Sequence, residues 1–145
     1  MSDFYSAIAF LSAFIMIIMV LLVRSNDLVE YSEKQTIYTI SVLVIAGAVS
    51  EWLGVWMDGA DPSLRLLHVI LKTIELSTAP VIPVLCSSLI RPIRCKKAIF
   101  GLLSIHVLLE ILFAFWSLDY IFWVDEQSCY HRGAFYWAYA LAYIG

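Results

Sequence analysis

Six ionisable side chains, Glu51, His68, Lys72, Glu75, His106 and Glu110, lie in stretches of sequence that are otherwise apolar. A charge in such a stretch costs about 2.5–3.5 kcal/mol to insert into a membrane, so by default it binds something or is paired. His68, Lys72 and Glu75 are spaced i, i+4, i+7, and His106 and Glu110 are spaced i, i+4, so each set lines one helical face. If Glu51, Glu75 and Glu110 gather around Lys72, the cluster carries about −2 when fully ionised. A low dielectric rejects that charge without protons, a cation or water. The pattern predicts a ligand-binding site for a small molecule, a cation or protons made from these six residues. The competing reading is structural: Lys72 pairs with Glu75 within its helix, and Glu51 and Glu110 bond neighbouring backbone or hydroxyl groups. Polar contacts between membrane helices average about 0.6 kcal/mol, which is small beside the insertion cost.

No metal and no cofactor are expected. No ligand pair has a metal-specific spacing, so His68 reads as an interfacial histidine and His106 as a partner of Glu110 or of a backbone group. Cys86, Cys95 and Cys129 fall in separate segments without the spacing of a zinc or redox pair, and Cys129 reads as a free thiol. Catalysis finds no support either. Gly-x-Ser-x-Gly, His-Glu-x-x-His, P-loop and Gly-x-Gly-x-x-Gly motifs are all missing, and the loops are too short to build a soluble active site.

The elements that must position these groups are membrane helices. Of 145 residues, 62% are hydrophobic and 14% charged, against about 25% charged in soluble domains. Mean hydropathy is +0.87. The net charge of −3 comes with no basic arm, which excludes nucleic acid as a partner. Four runs are long enough to span, at about 4–23, 36–57, 66–90 and 98–116. The first has neither a basic leader nor a cleavage site, so it reads as a retained span. Pro80 and Pro83 are expected to kink the third. Between spans four and five, Tyr120–Val124 and Cys129–Arg132 are β-prone pieces flanking a polar Asp125-Glu-Gln-Ser, a hairpin-like loop. The last run, 134–145, is about 16 Å long as a helix, short of the roughly 30 Å hydrocarbon core. It reads as the start of a span that continues past residue 145. The fold expected is an all-α membrane bundle forming one domain, with four full spans and a partial fifth helix.

Lysine and arginine set the orientation. Arg24, Lys34, Arg91, Arg94, Lys96 and Lys97 lie in the loops after spans one and three, and only Arg65 and Arg132 in the other two. Six against two puts the N-terminus outside the cell. Trp56, Trp116, Trp123 and Trp137 all fall at the outer ends, as an interfacial aromatic belt requires. Counted inward from those ends, Glu51, Lys72, Glu75 and Glu110 lie at a common depth of about 10–14 Å.

The stretch Leu71-Lys-Thr-Ile-Glu-Leu-Ser-Thr-Ala-Pro-Val-Ile-Pro contains Lys-x-x-Glu-x-x-x-x-Pro. With Glu51-Trp-Leu-Gly, Val124-Asp-Glu, Tyr130-His-Arg-Gly and Tyr136-Trp, it resembles the N-terminal multi-span sensor regions, of seven-span type, of bacterial diguanylate cyclases and histidine kinases. The resemblance implies a membrane-embedded sensory input module that feeds a cytoplasmic output domain. The sequence has no Gly-Gly-Asp-Glu-Phe or kinase motif, so these residues are not expected to make a second messenger. Expected partners are the bilayer, a small molecule or cation, the output domain and, as an option, a second copy of the chain. A transporter or channel-type protein, or a structural membrane partner with no ligand, are the alternatives. A transporter should show internal repeats, and the four spans have none that convinces.

Overall fold

A computed structural model of the chain describes residues 2–90, 96–116 and 120–137. Four helical stretches in it, Phe4–Ser25, Tyr31–Met57, Pro62–Ile90 and Lys97–Phe115, are long and apolar enough to cross a membrane. Helix α1 (Ser2–Ser25) packs along α2 (Tyr31–Met57), α2 along α3 (Arg65–Thr78) and α4 (Val81–Ile90), and α3 against α5 (Lys96–Phe115). Large side chains such as Phe4, Phe10, Phe14, Leu22 and Leu102 are exposed on the outer surface, as lipid-facing residues of a helical bundle would be.

Helix α2 begins at Tyr31, five residues before the apolar run that marks it in the sequence. Glu33 Oε2 accepts the Glu30 N–H at 3.3 Å, and this cap draws the polar segment 31–35 into the helix. The third span is broken. Its N-terminus is set by Pro62 and by Asp61, whose carboxylate accepts the Ser63 N–H at 2.8 Å and leads into a 3₁₀ turn, Pro62–Leu64. The break falls at Ala79–Pro80, because proline offers no N–H to the Leu76 carbonyl and clashes with the preceding turn. Pro83 was expected to kink the span as well. It sits instead in the first turn of α4, where its missing N–H costs little.

The hairpin forms, with β1 (Phe122–Val124) antiparallel to β2 (Tyr130–Arg132) and Trp123 opposite His131. Strand alternation turns Phe122 and Val124 inward onto Leu76, Val69 and Ala114, while Trp123 stacks on His131 with centroids 4.2 Å apart. Most of the predicted fifth helix, residues 138–145, lies outside the described residues, as does the loop at 91–95.

Candidate functional site: a polar cavity under the hairpin

The hairpin is bonded down onto the ends of α2 and α3, and those bonds begin with backbone geometry. Gly59, just past the end of α2, has φ +70°, the left-handed conformation that glycine adopts without a Cβ clash. This aims its N–H at the Ser128 carbonyl, 3.2 Å away. Ser128 is itself left-handed (φ 62°) and fully buried, a conformation that costs a non-glycine residue about 1–2 kcal/mol. The same carbonyl accepts a second bond, from His68 Nδ1 at 3.0 Å. Asp58 accepts the Tyr130 N–H at 2.8 Å, and Arg65 Nε donates to the Val124 carbonyl at 2.9 Å. Within the loop, the Asp125 carboxylate accepts N–H groups from Gln127 and Cys129 and lies 3.0 Å from His131 Nε2. The His131 hydrogen bond, then the backbone bond from Cys129, holds Asp125 below the usual carboxylate range.

Beneath this roof is a cavity of about 240 Å³ lined by Glu51, Asp58, His68, Lys72, Glu75 and Tyr130, among others. Lys72 Nζ meets Glu75 Oε2 at 2.7 Å and lies 4.9 Å from the Tyr130 ring centroid, a salt bridge with a cation–π contact above it. Gly54 makes this possible, since a Cβ there would come within 3.0 Å of Lys72 Cε. Desolvation moves the Tyr130 phenol above its ordinary range, so the hydroxyl stays neutral. Desolvation, with Asp125 and Asp58 nearby, also raises the Cys129 thiol, which makes it a poor nucleophile.

Four of the six residues singled out in the sequence, Glu51, His68, Lys72 and Glu75, therefore meet in one cavity. His68 is fully buried, because Ser128 reaches across to bond it. His106 and Glu110 do not join this cavity. They lie on α5, which packs against another face of α3, with His106 Nε2 3.7 Å from Glu110 Oε1. His106 hydrogen-bonds the backbone of Leu76. That is the residue whose carbonyl Pro80 leaves without a helical donor, so His106 repairs the helix break from a neighbouring helix. Glu110 is 0% exposed, and neither carboxyl oxygen has a hydrogen-bond partner among the described residues. Sequence spacing missed Asp58, Tyr5, Tyr130, Arg132 and Tyr136, which complete the polar cavity. For Asp58, Tyr130 and Arg132 the signal was the pairing of β2 with the Asp58 turn, which is a tertiary contact.

Fold and site together define a class, a helical multi-pass membrane protein with a roofed polar cavity at the hairpin end of the bundle. No family model, curated protein or solved structure matches the chain.

Proposed function

We propose that the chain is a membrane-embedded sensory input module whose polar cavity, facing outside, binds a small polar ligand and passes the change inward. One observation carries this reading: charged groups that are costly to insert surround open space instead of filling it, under a roof tied down by hydrogen bonds to α2 and α3. The distribution of lysine and arginine supports an N-terminus outside, which places the hairpin end outside too. The route inward is the α3–α4 break. Glu75, on the cavity wall, is one turn from Ala79–Pro80, where the continuous helical bonding that would stiffen the span is interrupted. In a protein that carries a cytoplasmic output domain, that break and the last span would transmit the signal.

The test is a fusion of the chain to a cytoplasmic diguanylate cyclase domain, screened with small amines, amino acids and carboxylates added outside. A compound should change cyclic dinucleotide production, Glu51→Gln should abolish the change, and Glu33→Gln, at the far end of α2, should not. A response unaffected by Glu51→Gln, or no response to any compound, overturns the reading.

A further inference from the structure

The cavity under the hairpin does not end at its polar walls. Tyr5, Glu51, Glu75 and Tyr136 also line a second space of about 600 Å³ running between α1, α2 and α4. Ile8, Val44, Leu76 and Ile82 give this space apolar walls, and small residues, Ala9, Gly47, Ala48 and Ala79, leave it open. The two spaces adjoin at these four side chains, a polar chamber beside an apolar slot, with Glu51 and Glu75 lining both.

The chemistry of the polar chamber selects one kind of head group. Its ionisable lining is three carboxylates, Glu51, Asp58 and Glu75, against two cations, Lys72 and Arg132, an excess of one negative charge with His68 counted as neutral. Most of these groups are engaged: Glu75 by Lys72, Asp58 by the Tyr130 N–H, and Arg132 over the Tyr136 ring at 4.7 Å. Glu51 makes no hydrogen bond or ion pair among the described residues. Independently, His68 is fully buried, and its Nε2 has no hydrogen-bond partner among them. Its Nδ1 donates to the Ser128 carbonyl, so Nε2 of the neutral ring offers a lone pair. Both uncommitted groups are acceptors and the net charge is negative, so the complementary head is a cationic donor.

Resting on the ligand-binding role proposed above, we infer that the ligand is a primary amine carrying an apolar chain, with its ammonium between Glu51 and His68 and its chain in the slot. From Glu51 to Val44 the slot wall runs seven residues of α2, about 10 Å, comparable with an eight-carbon chain.

The probe is an eight-carbon primary alkylamine with a diazirine at the far end of its chain, photolysed with the full chain in lipid nanodiscs. Label should appear in residues 44–48 and 79–83. Glu51→Gln should lower it about tenfold, the loss of one charge-assisted contact. Excess propylamine should compete it away, and the alkyl carboxylate of equal length should not label the slot. Ala48→Leu, which narrows the slot, should remove the label in those segments. Label scattered over the lipid-facing surfaces of α1 and α5, equal labelling by the carboxylate, or indifference to Glu51→Gln overturns the inference. If the cyclase fusion answers a small polar compound through Glu51 while the slot stays unlabelled, the amphiphile is excluded and the sensory reading survives.

Discussion

Two regions of this bundle hold carboxylates beside different faces of α3, and they treat them differently. On the α2 side, Glu75 is paired with Lys72, Asp58 is bonded to the hairpin, and Glu51 faces open volume. On the α5 side, Glu110 is sealed at 0% exposure with His106 at 3.7 Å. Residue type is the same in both. Space and partners separate them, which teaches that an intramembrane charge indicates a binding site only where there is room beside it. The α5 pair serves the helix break, through the bond from His106 to Leu76.

The comparison can be broken first where charges are paired. Lys72→Met strands Glu75, whose side chain is 26% exposed, against an apolar neighbour. A loss of about 3–5 kcal/mol is expected in unfolding measurements in detergent, with at least half recovered by adding Glu75→Gln. If Lys72→Met is neutral, the pair is not a structural unit of the cavity. Next, His106→Leu removes the donor to the Leu76 carbonyl and leaves that group unsatisfied in an apolar surrounding. A cost of about 1–3 kcal/mol is expected by the same assay, and none if the break at Pro80 needs no repair. Glu110→Leu sharpens the contrast by its sign: replacing a carboxyl without a hydrogen-bond partner among the described residues by an apolar group of similar size should stabilise the bundle by about 1 kcal/mol. Destabilisation by Glu110→Leu would mean that the carboxyl has a partner and that the two regions are alike.

Much of this was legible before the structure. The four spans follow from runs of apolar residues that nothing but a membrane can accommodate. The hairpin follows from two β-prone pieces around Asp125–Ser128, and the joining of Lys72 to Glu75 from helical spacing. Rotation of each helix about its axis was not legible. That is why Glu110 seemed to belong with Glu51 and Glu75, although it lies outside the cavity they line. The burial of His68 depends on Ser128, 60 residues away in sequence. Spacing could not show that contact, nor the one between Asp58 and Tyr130.

A smaller effect concerns the roof. Asp125 has its pKa lowered in the folded hairpin, so its contribution is complete above the ordinary aspartate value of about 3.9 and is lost as pH falls through the lowered one. With the other tryptophans replaced by phenylalanine, Trp123 fluorescence should report the loss of stacking on His131 in that acid window and stay constant above it. Asp125→Asn should abolish the acid transition. A transition that survives Asp125→Asn belongs to another group.

The central proposal is that the cavity under the hairpin is open to water from outside while the α5 carboxyl is sealed. Its most direct test uses a background in which Cys86, Cys95 and Cys129 are serine and a single cysteine replaces either Glu51 or Glu110. A membrane-impermeant cationic thiosulfonate added to intact cells should modify Glu51→Cys. Glu110→Cys should remain unmodified under the same conditions. Equal reactivity at the two positions, or reaction at Glu110→Cys alone, would contradict the account.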